Sequence, residues 1–397
     1  MYKWTIRSGA INSTVRLGYL SWFVLMGGVV ASLRASGRGR CGWEPFTLVI
    51  LAVVPSVFMP LTQLFHPQDL VAMGLALGGL ACARRGSWAW AGLLLGLAVT
   101  SQQFALLVAA PLIVLAPKDR RVRLAGAAIG TAALVILPLA VATSGRAVRA
   151  ALLGSGNTAS FGGTVLREVH VNGGLLVPFS RILPIVVSLA LARWAARRLG
   201  SLVMEPVPLL CLVATSLSLR LVFEQNLYGY YFMALAVSLV LVDIVNGRIR
   251  GQLVAWLVLL ALAFSPVPWG FVSNSVSWGI QEREFFPFLC LGAVLLLITF
   301  DLIRRRIRWY LLGWFGVVAV AFARLPWTSP PFREAMPVWF WQVVLVGSGV
   351  ALAMGPLLAY MRDHGASERP SLNGDEPTGK YWEGESESFR ALAGTRG

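Results

Sequence analysis

Arginine falls in this chain in short clusters, and between the clusters lie apolar stretches long enough to cross a bilayer. The clusters are Arg34/Arg38/Arg40, Arg84/Arg85, Lys118/Arg120/Arg121/Arg123, Arg193/Arg197/Arg198, Arg248/Arg250 and Arg304/Arg305/Arg306/Arg308. A spanning helix takes about 20 apolar residues, and basic connections stay on the cytoplasmic side. Together these features leave one architecture, an all-α polytopic membrane protein. A content of 57% hydrophobic and 13% charged residues agrees with it. The net charge of +16 would in another chain suggest nucleic acid. Cations confined to short connections between apolar runs form no continuous basic groove, so no nucleic-acid partner is expected.

Windows of spanning length give about thirteen membrane passes. They lie near 14–33, 44–64, 69–83, 88–101, 104–117, 122–143, 174–192, 201–220, 228–245, 252–270, 285–303, 309–325 and 337–360. The chain thus divides into an external segment 1–13, a helical membrane domain 14–361 and a polar, acid-rich tail 362–397 expected to be a disordered cytoplasmic extension. Passes 69–83, 88–101 and 104–117 are too short to span upright. Segments of that kind are expected to be walled by protein rather than by lipid. The amino terminus carries Lys3, Arg7 and Arg16 on the side assigned as external, with no signal sequence before it, which creates the expectation of a further helix upstream.

Cys41, Cys82, Cys211 and Cys290 form no CxxC pair, and His66, His170 and His364 show no ligand spacing. Neither a disulfide framework nor a zinc site follows from them. No cofactor is indicated by motif; a divalent cation at an external carboxylate is the single candidate.

With the basic clusters cytoplasmic, most of the unusual polar residues collect at the other, external face. In "FHPQD", Pro67 suits the first position of a helix and Asp69 its first turn, where the helix dipole favours an acid. Capping alone would explain the aspartate. An acid at the hydrocarbon boundary beside His66 and Gln68 also suits a residue facing a cavity, as a base or a ligand for sugar hydroxyls. "TSQQF" places Gln102 and Gln103 between two short apolar runs at the same face; their amides are either a polar turn or donors and acceptors for hydroxyls. "RLVFEQNLYGYY" sets Arg220 four residues before Glu224, with Tyr228, Tyr230 and Tyr231 following. An interfacial ion pair with an aromatic belt and a phosphate-holding guanidinium both fit that spacing. The long loop 144–173 adds Arg167 and His170 as candidate substrate-binding residues.

The run "FHPQDLVAMGLALGGLACARRGSWAWAGLLLGLAVTSQQFALLVAAPLIVLAPKDRRVR" resembles the core segment of polytopic membrane glycosyltransferases of the GT-C superfamily, especially actinobacterial mannosyltransferases of the family 87 type. "RLVFEQNLYGYY" is similar to an Arg-x-x-x-Glu-x-x-x-x-Tyr-Tyr element of the same proteins, and the resemblance covers roughly residues 45–245. It implies transfer of a sugar, with inversion, from a polyprenyl-phosphate donor to a lipid or cell-envelope glycan acceptor, at the external face of the plasma membrane. Such chemistry asks for a carboxylate base and for cations at the departing phosphate. In the family that base generally sits in the first external loop, yet no acid occurs between Met1 and Glu44. By the resemblance Asp69 corresponds better to a substrate-shaping or metal-assisting acid of the second loop, and it is the catalytic candidate this chain offers. The substrate-binding candidates are His66, Gln68, Gln102, Gln103, Arg167, His170, Arg220, Glu224 and Tyr228. Gln102-Gln103 stands where the family commonly has lysine, which removes one phosphate-neutralising charge. A transporter or flippase of a lipid-linked sugar and a noncatalytic membrane paralogue are the alternatives.

Overall fold

A computed structural model describes residues 8–39, 43–62, 66–146, 148, 164–165, 173–224, 227–264 and 338–364. Among them are α1 (Ser8–Ala35), α2 (Trp43–Val53), α3 (Pro55–Thr62), α4 (Pro67–Arg84), α5 (Trp88–Ser101) and α6 (Leu106–Leu115). These are followed by α7 (Lys118–Ala142), α8 (Gly173–Leu199), α9 (Pro206–Val222), α10 (Met233–Val245), α11 (Gly251–Phe264) and α12 (Val338–His364). Short 3₁₀ turns at Gln103–Ala105, Gly200–Met204 and Gly229–Phe232 precede α6, α9 and α10. No strand occurs among the described residues. The expected passes 285–303 and 309–325 and most of the tail lie outside them.

Proline and glycine set many of the boundaries. Pro67 and Pro206 open α4 and α9, where the missing N–H has no helical partner to lose. Pro55 divides the expected pass 44–64 into α2 and α3. At the end of α4, Gly86 takes a φ of +76°, and the N–H groups of Arg85, Gly86 and Ser87 close onto Ala81, Ala83 and Cys82 carbonyls. This is the left-handed stop for which glycine is suited. Several basic clusters read as connections prove to be helix ends. Arg193, Arg197 and Arg198 lie in the last turns of α8, and the Lys118–Arg123 cluster forms the first turns of α7. Pro117 cannot continue α6, and the helix that restarts after it takes the cations with it.

Burial runs opposite to helix length. By a rise of about 1.5 Å per residue, α7 is about 38 Å long, whereas α5 and α6 reach only about 21 and 15 Å. α7 is apolar enough to span and exposes Val122, Ile129, Leu134, Leu137 and Val141, the profile of a lipid-facing helix. The short α5 and α6 are walled by other helices, with Leu95, Ala98, Leu107, Val108 and Leu112 buried. Every residue of α10 is buried, placing it at the centre. The remaining helices long and apolar enough to span, among the described residues, are α1 and α12.

Glycines allow the tightest crossings. A Cβ at Gly28 of α1 would lie 2.1 Å from the Gly74 carbonyl oxygen of α4. Gly92 and Gly96 of α5 form a Gly-x-x-x-Gly stripe on which the backbone of α7 rests, and Cβ atoms there would lie 2.4 Å from the Leu124 oxygen and 2.5 Å from the Ala128 oxygen. Between helices in lipid, where hydrophobic driving force is absent, such backbone approach supplies packing attraction.

Polar contacts sort into two ends. At the arginine-rich end, Arg34 pairs with Glu44 at 2.8 Å, Arg84 donates to the Ala35 carbonyl at 2.6 Å and approaches Glu205 at 3.8 Å, and Arg38 donates to the Val245 carbonyl at 3.1 Å. Arg250, expected in a solvated connection, is instead drawn into the bundle. Its Nε pairs with the buried Asp243 at 2.6 Å, its backbone N–H donates to the same carboxylate at 2.7 Å, and Nη1 reaches the Leu352 carbonyl of α12 at 2.8 Å. The opposite end holds the residues singled out from "FHPQD", "TSQQF" and "RLVFEQNLYGYY".

Candidate functional site

α4 begins at that end. Its first turn carries Asp69, whose N–H donates to the His66 carbonyl at 3.1 Å, as the helix-opening reading requires. The residue, however, is turned into the protein and is 6% exposed. The Gln102 amide is within hydrogen-bonding range of it, and the Arg220 guanidinium and His66 imidazole act on it electrostatically. Residues from the start of α4, the break between α5 and α6 and the end of α9 thereby converge. Charged groups at membrane depth are rarely left without a partner or a pathway, and here the acid faces a cation.

Arg220 is the second pole of the site. It leaves the last turn of α9, and its Nε donates to Glu224 at 3.2 Å. Its Cζ lies 5.3 Å from the centre of the Phe104 ring and 5.0 Å from that of Tyr231. Both distances are within the range of cation–π attraction. Phe104 is brought there by the 3₁₀ turn at the helix break, and Tyr231 by the turn before α10. The tyrosines make a continuous aromatic wall. His66 lies 4.8 Å from Tyr230, Tyr228 is stacked on Tyr230 at 5.6 Å, and Tyr231 meets Tyr228 and Tyr230 edge-on at 5.3 and 4.7 Å.

The structure therefore brings together Asp69, His66, Gln102, Arg220, Glu224 and Tyr228. Gln68 is half-buried on the same turn and, among the described residues, takes no part in the contacts around Asp69. Arg167 and His170 lie outside the described residues. Gln103 faces another way, accepting a hydrogen bond from Nη1 of Arg181 on α8. The loss of a cation at the helix break, expected from its two glutamines, is thus offset from a neighbouring helix. Sequence reading passed over Arg181, although a lone arginine inside an apolar segment is itself a signal. It also passed over Gln342 at the start of α12. That side chain is buried, donates to the carbonyls of Leu221 and Val222 at 2.7 and 3.0 Å, and accepts from the Val165 N–H at 2.9 Å. It satisfies orphan carbonyls at the end of α9, one and two residues beyond Arg220.

A divalent cation fits the donor set poorly. Among the described residues no group of three or more His, Cys, Asp or Glu side chains comes together, and hard cations ask for several oxygen ligands.

The sequence profile of Glycosyltransferase family 87 matches residues 13–223, more than half of the chain. The chain belongs to glycosyltransferase family 87. No curated protein and no solved structure matches it. The family 87 match spans α1 to α9 and includes Asp69, the α5–α6 break and Arg220, and it ends one residue before Glu224. The all-α polytopic membrane architecture read from the arginine clusters accords with the family, and so does glycosyl transfer between a sugar donor and an acceptor. The aromatic wall at Tyr228–Tyr231 and the Gln342 contact lie beyond the matched residues.

Proposed function

We propose that this family 87 enzyme takes its sugar from a polyprenyl-phosphate donor at the external face of the plasma membrane and passes it, with inversion, to a lipid or glycan hydroxyl. The observation that carries the reading is the buried Asp69 side chain at the polar end, within the electrostatic reach of Arg220. Asp69 takes the proton of the acceptor hydroxyl, whose oxygen attacks the anomeric carbon. The bond from that carbon to the donor phosphate oxygen breaks, and the phosphate leaves with the electron pair beside Arg220, which offers planar, bidentate recognition of phosphate. The aromatic wall suits sugar and polyprenyl carbons, and the Gln102 amide holds the carboxylate. External placement is supported by the position of the site at the end opposite the arginine-rich one.

The test is incorporation of label from polyprenyl-phosphate sugars by membranes expressing the chain. Asp69→Asn should lower transfer by about 10²-fold or more, within the usual contribution of a general base, at unchanged expression. Transfer by Asp69→Asn at the wild-type rate would return the aspartate to helix capping. For orientation, a cysteine replacing the exposed Arg146 at the end of α7 should react with an impermeant thiol reagent in intact cells. Failure to react would place the site on the cytoplasmic side.

A further inference from the structure

Gln342 is a buried polar side chain that the reading above leaves without a task. It is 2% exposed, and its amide offers donors and an acceptor from one planar group. The last carbonyls of a helix have no N–H of that helix to meet. At the end of α9 the Arg220 carbonyl accepts from the Phe223 N–H at 3.1 Å. The next two, those of Leu221 and Val222, accept from Nε2 of Gln342 at 2.7 and 3.0 Å. Their peptide units lie in the stretch that joins Arg220 to Glu224, its ion-pair partner at 3.2 Å. Gln342 thus holds the backbone between the two charged residues, while Phe104 and Tyr231 lie against the guanidinium.

The helix that carries Gln342 is itself fixed. Nε1 of the buried Trp256 on α11 donates to the Leu345 carbonyl at 2.8 Å, one turn from Gln342. Farther along α12, Pro356 has no N–H to give the carbonyl four residues before it, that of Leu352. Nη1 of Arg250 donates to that carbonyl instead, at 2.8 Å. α12 is therefore held at two levels from the α11 side, and Gln342 meets the end of α9 from a set height. Its Oε1 accepts from the Val165 N–H at 2.9 Å, so the same amide ties residue 165 to the end of α9.

We propose that Gln342 is a positioning residue for Arg220, fixing from α12 the helix end on which the guanidinium must stand to meet a phosphate. This rests on the phosphate-binding role given to Arg220 in the proposed function. A planar guanidinium recognises phosphate by direction as well as by charge, and a helix end without its cap loses that direction before it loses the charge. The effect of Gln342 on phosphate binding should therefore run through Arg220 and vanish where Arg220 is absent.

The experiment is a double-mutant cycle on the purified full chain in detergent, reading the affinity for farnesyl monophosphate beside uncharged farnesol. Gln342→Met keeps much of the side-chain volume and loses the amide. It should weaken farnesyl monophosphate by about fivefold or more, the scale of coupling between residues in contact, and leave farnesol unchanged. In an Arg220→Gln background the same change should have no further effect. Asp243→Asn, which breaks an ion pair at the opposite end of the bundle, is the control for general destabilisation and should bind farnesyl monophosphate as the wild type does. Wild-type affinity in Gln342→Met, equal weakening with and without Arg220, or equal weakening in Asp243→Asn would overturn the proposal. A second measurement needs no variant at position 342. If Gln342 favours phosphate binding, phosphate must by reciprocity favour the contacts of Gln342. Farnesyl monophosphate, and not farnesol, should slow hydrogen exchange of the Val165 N–H in the wild-type chain; unchanged exchange would also overturn the proposal. If Arg220→Gln binds farnesyl monophosphate as tightly as the wild type, the phosphate role of Arg220 falls, and the role of Gln342 with it.

Discussion

Gly28 tests whether the helix crossing beneath the site sets its geometry. The α1–α4 pair is the most extensive helix contact among the described residues, and a Cβ at Gly28 would stand 2.1 Å from the Gly74 oxygen, against an ordinary contact of 3.4 Å or more. Gly28→Ala must therefore move the two backbones apart by about 1.3 Å, the difference between those distances. Overpacking of this kind costs about 1–3 kcal/mol, offset by the roughly 1 kcal/mol that alanine gains over glycine within a helix. A net loss of up to about 2 kcal/mol is expected, read as a lower unfolding midpoint in detergent. Gly74 lies five residues after Asp69 on α4, so the displacement is passed to the carboxylate. Misplacement by about 1 Å costs on the order of 10²-fold in rate, and transfer should fall by about 10- to 100-fold. Gly27→Ala is the control. Gly27 is exposed, and a Cβ there meets nothing within 4 Å, so stability and transfer should be unchanged or slightly improved. Equal behaviour of the two variants would refute the argument that the α1–α4 approach fixes the site.

Three further outcomes follow from contacts described above. Asp243→Asn removes one partner of a buried ion pair and should cost about 3–5 kcal/mol, measured as a lower midpoint or a lower folded yield in detergent. Gln342→Leu leaves the Leu221 and Val222 carbonyls and the Val165 N–H without their partner. On the order of 3 kcal/mol of stability should be lost, with faster proteolysis at residues 164–165. Arg220→Lys keeps the charge but loses the Nε–H that donates to Glu224 and the planar group that lies over Phe104 and Tyr231. The KM for a polyprenyl-phosphate sugar should rise about tenfold with little change in stability, and an unchanged KM would leave Arg220 only its ion pair.

The rough position of most helices within the described residues was legible because apolar length and basic clusters are strictly local signals. The division of 44–64 at Pro55 was legible in principle, since a proline interrupts the helical ladder, but a hydropathy window averages over it. The convergence of Asp69, Gln102 and Arg220 came from assigning three polar breaks to one membrane face, which orders residues by depth without any knowledge of packing. Depth alone does not say which helix stands beside which. Gln103 could be placed at the right level and still not be matched with Arg181, 78 positions away. The same holds for Gln342 and the end of α9, and for Asp243, whose partner Arg250 resembled one more solvated cation until the chain turned it inward.

The shortness of α5 fixes how far bulk solvent can follow a substrate. Its 14 residues raise the chain about 21 Å, so a helix that starts at one edge of a hydrocarbon layer about 30 Å thick ends roughly 9 Å short of the other. Under the donor proposed above, a polyprenyl-phosphate sugar seated at the break after α5 would have its head group below the lipid–water boundary and its hydrocarbon tail in the bilayer. An activated sugar in aqueous surroundings has water as a competing nucleophile; in a recess at this level the acceptor hydroxyl has the advantage. On that reading, the partition between productive transfer and wasteful hydrolysis would be set by the reach of a helix too short to cross the membrane.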